Sequence, residues 1–88
     1  MELDQKYYQK VGLRIKSLRR QRGLTQETVA KKSIFLTKNI VGNMERGKGC
    51  TLENLILVGS ALNINPAWLA GWLDAEHAQS FAYWRNNK

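Results

Sequence analysis

One cysteine in 88 residues leaves no partner for an intramolecular disulfide, no paired-cysteine zinc site and no CxxC redox motif. A reducing compartment is the expected setting. One proline, and no tract rich in proline, glycine or serine, leaves no linker, and no internal repeat divides the chain. The one histidine, His77, has no Asp, Cys or Ser arrangement near it that would suggest catalysis or metal binding, so it reads as a surface residue. No apolar run reaches the roughly 18 residues of a membrane span, and residues 1–10 lack the basic-then-apolar order of a signal peptide. The chain is too short for a two-domain enzyme with an interdomain cleft. Neither an enzyme, a cofactor, a metal nor a membrane partner is expected.

Acidic residues are scarce as well, 7 against 14 Lys+Arg, for a net charge of +7. The imbalance is local: residues 1–48 carry 12 basic and 4 acidic side chains, residues 49–88 only 2 and 3. The basic half therefore suits a polyanion, while the other half is left to pack or to bind protein. A solvated basic surface that keeps a small protein soluble is the plainer alternative.

What the chain does have is helical periodicity. Val11, Ile15 and Leu18, with Tyr8 one step before, form an apolar stripe on a helix from about residue 4 or 5 to Arg22, which Gly23 stops. Thr25 caps a short second helix that ends near Lys32 or Ser33, with Val29 and Ala30 facing inward. Ser33-Ile34-Phe35-Leu36 reads as a turn with apolar anchors. Thr37 then caps a third helix, Lys38 to about Glu45, with Val41 and Met44 inward. Thr51 caps a fourth, whose apolar side carries Leu52, Leu55, Val58 (or Ile56 and Gly59) and Leu62, and Asn63 suits a left-handed close. Asn65-Pro66 starts a fifth helix that runs to Ala70 and pauses at Gly71. A further helix is expected over about 75–85, striped by Ala78, Phe81, Ala82 and Trp84. The fold class is all-α.

The two short helices joined by a tight apolar turn are a helix-turn-helix, with Ala30 as the small residue at their contact. Leu36, Val41 and Met44 would fix the second of them. Its outer face would then be short, polar and rich in donors, as a major groove about 12 Å wide requires.

At these residues the chain resembles the phage Cro and CI repressor (XRE-like) helix-turn-helix family. The resemblance rests on Gly23-Leu24-Thr25-Gln26-Glu27-Thr28-Val29-Ala30, on Val41-Gly42-Asn43-Met44-Glu45-Arg46-Gly47-Lys48, and on Leu55 to Leu69 with its Asn65-Pro66-Ala67-Trp68-Leu69 end. It spans about residues 8–71. It implies a five-helix, lambda-repressor-like DNA-binding domain, usually dimeric, that regulates transcription at a palindromic operator. It also places Thr37, Lys38, Asn39 and Asn43 where the family reads bases, and Arg46 and Lys48 where it contacts phosphate or the minor groove. Gln26 falls where the family touches phosphate and braces the reading residues, and Arg19 with Glu45 falls at a structural salt bridge. One departure stands out: Ala30 to Val41 is one residue longer than the common spacing, and Ile34-Phe35 replaces the turn glycine expected after Ser33. The extra residue is assigned to Ile34 or Phe35, with Thr37 kept as cap; a bulge within the third helix is the alternative.

Asparagine suits a bidentate contact to adenine, and lysine suits guanine acceptors. Gly42, counted with the base-reading residues, costs roughly 1 kcal/mol in a helix relative to alanine; it either lets the helix approach the groove or relieves crowding against the preceding helix. Among the cations Arg14, Lys16, Arg20, Arg22, Lys31 and Lys32, most act at long range; Arg14 and Thr25 complete the phosphate set of Gln26, Arg46 and Lys48. Cys50 reads as an incidental loop thiol.

All three tryptophans fall in the last 21 residues, among Trp68, Trp72, Phe81, Tyr83 and Trp84. A small domain cannot readily bury all of them, and leftover aromatics are common interface anchors. The expected organisation is a DNA-binding domain over 1–73 and a helical extension over 74–88, with Trp72, Phe81 and Trp84 building a homodimer. The expected function is a sequence-specific double-stranded-DNA-binding regulator, a repressor, in the cytoplasm of a bacterial host or encoded by a phage. RNA polymerase or another protein is a further partner to consider. The alternatives are an antitoxin-like interaction module whose DNA binding is autoregulatory, and a general nucleic-acid binder, which would show no duplex sequence preference.

Overall fold

The computed structural model describes residues 5–71, which form five helices and, among those residues, no strand. They are α1 (Gln5–Gln21), α2 (Gln26–Lys31), α3 (Lys38–Glu45), α4 (Leu52–Leu62) and α5 (Pro66–Leu69). The expected segment at 75–85, the extension at 74–88 and the interface residues Trp72, Phe81 and Trp84 lie outside the described residues.

Each boundary has a local cause. The hydroxyls of Thr25, Thr37 and Thr51 accept hydrogen bonds from the backbone N–H groups of Thr28, Ile40 and Asn54 at 3.0, 3.1 and 3.1 Å, and the Asn65 side chain accepts from Ala67 at 2.9 Å. Pro66 follows as the first residue of α5, where its missing N–H costs nothing. Asn63 closes α4 in the left-handed region, φ 55°, and Ile64 N–H donates to the Gly59 carbonyl at 2.9 Å.

Burial follows the stripes. Val11, Ile15 and Leu18 of α1, Val29 and Ala30 of α2, Val41 and Met44 of α3, and Leu55, Val58 and Leu62 of α4 share one core with Leu36, Ile64, Leu69 and Ala70. At Gly12 the backbone of α3 lies directly against α1. A Cβ there would stand 2.4 Å from the Met44 carbonyl oxygen and 2.7 Å from that of Glu45, so only glycine admits this approach.

Two expectations about apolar residues are corrected. Leu52 is exposed rather than inward, because the core face of α4 begins one turn later, at Leu55. In the α2–α3 connection only Leu36 is an anchor; Ile34 is 92% and Phe35 68% exposed. The longer turn explains this. Leu36 N–H donates to the Ser33 carbonyl at 3.3 Å, and Phe35 N–H to Ser33 Oγ at 3.1 Å, so Ile34 and Phe35 form the two-residue tip of a tight turn. Neither tip residue has a positive φ. The added residue thus removes the need for glycine, and α3 runs unbroken behind its Thr37 cap.

Candidate nucleic-acid interface

The position of α3 is set by a buried carboxylate. Glu45, at its last turn, accepts from Arg19 Nε at 2.6 Å and Nη2 at 3.1 Å, and from Gln26 Nε2 at 3.1 Å. Arg19 Nη1 also donates to the Leu24 carbonyl at 2.7 Å. One ion pair thereby ties α1, the loop before α2, α2 and α3. Hydrogen bonding to Glu45 raises the pKa of Arg19 above its already high ordinary value, against the opposing effect of burial. Since a carboxylate only accepts, Gln26 must turn its amide nitrogen to Glu45. Its Oε1 is left above Gly42, 3.3 Å from where a Cβ on that residue would stand.

Gly42 therefore lies beneath two polar side chains. The guanidinium of Arg46 covers it from the other direction, with Nη1 3.2 Å from the same Cβ position. Arg46 Nη2 donates to Asn43 Oδ1 at 2.6 Å. The crowding at Gly42 thus comes from the flexible ends of Gln26 and Arg46, and no backbone of α2 presses on it.

Asn39 and Asn43 are one turn apart on the same outward side of α3. Lys38 and Asn39 are exposed at its N-terminal end, and neither has a hydrogen-bond or ionic partner among the described residues. Asn43 and the exposed Lys48 border one open depression, together with Tyr8, Ile40, Thr51 and Asn54. The Lys48 backbone N–H is tied to the Asn43 carbonyl at 3.0 Å. Lys38 lies on the other side, at a groove it shares with Glu27, Lys31 and Ile34. Lys38, Asn39, Asn43 and the C-cap Arg46 thus make up the outward polar strip of the third helix, with Lys38 at one edge and Asn43 at the other.

The remaining candidates divide. Gln26 is within this assembly, and Thr25 is the exposed residue beside it. Thr37 is exposed but its hydroxyl is engaged in capping. Arg14 is not brought to the strip. It donates to the Trp68 carbonyl and its guanidinium carbon lies 5.1 Å from the Trp68 ring, so it clamps α1 to α5. Thr51 had no signal in the sequence beyond its cap and Asn54 had none, because they come to border the depression with Asn43 only through the course of the loop that joins α3 to α4. Cys50 is half-buried, and burial pushes its thiol pKa up.

Among the described residues no helix is long and apolar enough to cross a membrane, and no group of three or more His, Cys, Asp or Glu gathers where a metal ion would need them. A family model described as helix-turn-helix, of the Cro/CI type, matches residues 15–69. The five-helix, all-α arrangement agrees with the lambda-repressor-like fold of that family. No curated protein and no solved structure matches the chain.

Proposed function

The chain belongs to the Cro/CI-type helix-turn-helix family of DNA-binding transcriptional regulators, and from that premise we propose that it reads a palindromic operator as a homodimer and represses transcription there. The observation that carries the reading is the outward strip of α3. Lys38, Asn39 and Asn43 offer donors and acceptors without an apolar side chain between them on that side, and Arg46 holds Asn43 in place.

In this reading α3 enters the major groove. Lys38 approaches guanine acceptors at the N-terminal end, and Asn39 and Asn43 pair with adenine edges. Thr37 and Gly42 flank them, the first at the helix start and the second beneath Gln26 and Arg46, where a small residue leaves room for the Arg46–Asn43 bond. Thr25, Gln26, Arg46 and Lys48 take the phosphates, which supply affinity and register but no sequence information. Arg14, engaged with Trp68, is left out of that set. Two copies related by a two-fold axis present their reading helices about 34 Å apart, one turn of DNA. Trp72, Phe81 and Trp84 are the proposed interface, and occlusion of RNA polymerase is the proposed means of repression.

The test is selection of bound duplexes from a random pool by the full chain, then titration of the winner and a scrambled duplex at two salt concentrations. A palindrome with half-sites roughly 10 bp apart, bound two chains to one duplex, supports the reading. Equal and strongly salt-dependent binding to both duplexes overturns it.

A further inference from the structure

The Ser33–Leu36 turn presents two large apolar side chains that the fold does not use. Ile34 is 92% and Phe35 68% exposed. They are held, not loose. The Ser33 N–H donates to the Ala30 carbonyl at 3.2 Å, the turn closes from Leu36 N–H to the Ser33 carbonyl at 3.3 Å, Phe35 N–H is fixed on Ser33 Oγ, and Leu36 is buried on the far side. A fixed apolar tip of this kind carries a solvation penalty that no contact among the described residues offsets.

Its surroundings select the occupant. Lys31 and Lys32 precede the tip and Lys38 follows it; among the described residues the acid at the same groove, Glu27, pairs with Lys31 at 3.7 Å, which leaves Lys32 and Lys38 as the rim's net positive charge. A positively charged rim around an apolar centre disfavours a basic or plain hydrophobic partner and favours a polyanion with an apolar feature. The tip is also adjacent to the reading helix. Phe35 precedes Lys38 by three residues, so their Cα atoms are at most about 11 Å apart, which is roughly three base-pair rises. In the major groove the apolar feature on a base edge is the thymine 5-methyl group.

We propose that Phe35, with Ile34 beside it, is a further specificity-determining element: an apolar tip that packs on a thymine methyl flanking the base pairs met by Lys38 and Asn39, with the lysine rim on the neighbouring phosphates. This rests on α3 being the helix that enters the groove. The one-residue-longer turn is what makes the contact available, since a glycine turn would have no side chain to offer.

The experiment uses the full chain and the selected operator, with each thymine replaced in turn by uracil, which lacks only the methyl group. Wild type is expected to lose roughly fourfold in affinity at one thymine in each half-site, the worth of a buried methyl. Phe35→Ala, which removes the contact from both half-sites at once, is expected to lose about sixteenfold on the unmodified operator, to lose nothing further at that uracil, and to bind scrambled DNA as wild type does. Phe35→Leu should recover part of the loss. Because Phe35 is exposed, an unchanged thermal melt will confirm that the variants fold. If Phe35→Ala and Ile34→Ala bind both operators as wild type does, or if their losses simply add to the uracil effect, the inference fails. Asn39→Ala and Asn43→Ala separate the two ideas: their loss of operator affinity while Phe35→Ala is silent overturns only the tip contact, and their silence overturns the groove reading and the tip contact together.

Discussion

Arg46 reaches back across the last turn of α3 and donates from Nη2 to Asn43 Oδ1 at 2.6 Å. The two residues are three apart, the spacing that brings side chains together on a helix. The bond engages the amide oxygen and leaves the amide nitrogen without a partner among the described residues. In the proposed reading Arg46 thus positions Asn43 in addition to contacting phosphate.

Asn39→Ala and Asn43→Ala are expected to weaken operator binding by about 1–3 kcal/mol each per half-site, with little effect on scrambled DNA. Arg46→Ala should lose discrimination as well as affinity, and the Arg46→Ala, Asn43→Ala pair should cost less than the sum of its parts. Lys48→Ala should weaken all sequences alike and lower the salt slope by about one unit. Titrations of two duplexes at two salt concentrations check all five variants, and equal losses on both duplexes for every variant would contradict the division.

Arg19→Ala leaves the Glu45 carboxylate buried without its cation, and breaking such a pair costs about 3–5 kcal/mol. In a domain of this size that lowers the melting temperature by ten degrees or more, on the order of 4–8 °C per kcal/mol. Arg19→Lys should recover only part, since an ammonium cannot serve Glu45 twice and the Leu24 carbonyl together. Thermal denaturation of the three proteins tests this.

Two buried glycines of adjacent helices should respond oppositely to alanine. At Gly12 the new methyl group meets carbonyl oxygens of α3, so α1 must move away, at a cost of about 1–3 kcal/mol or more. At Gly42 it meets the ends of Gln26 and Arg46, which can shift, and helix propensity gains up to about 1 kcal/mol. Gly42→Ala should therefore melt no lower than wild type while binding operator less tightly, because Arg46 is displaced from Asn43. Melting curves beside operator titrations distinguish the two positions.

The Cys50 thiol, its pKa pushed up by burial, holds less thiolate at pH 8 than an ordinary cysteine near 8.5. Its alkylation should be slower than that of a free thiol at that pH, should climb as the pH rises past the ordinary range, and should accelerate in denaturant. A folded-state rate equal to that of free cysteine would show that the loop before α4 opens readily.

The sequence by itself determined the features whose causes lie within a few residues. Thr25, Thr37, Thr51 and Asn65 cap where local chemistry places them, Asn63 turns left-handed, and the spacings of Val11, Ile15 and Leu18 or of Leu55, Val58 and Leu62 mark their buried sides. The Arg19–Glu45 pair was legible through family resemblance and is present in the fold.

Other features depend on which surfaces meet once the chain has folded. Ile34 and Phe35 look like core residues in a row of letters, yet the fold has room for one anchor there, and Leu36 takes it. Arg14 looks like any cation of a basic helix until α5 brings the Trp68 ring and carbonyl to it. Gly12 carries no pattern at all, because its necessity comes from the backbone of α3, more than thirty residues away. Capping and periodicity are set by neighbours in sequence and are readable there; exposure, clamping and close approach are set by neighbours in space, and the chain must fold before they exist.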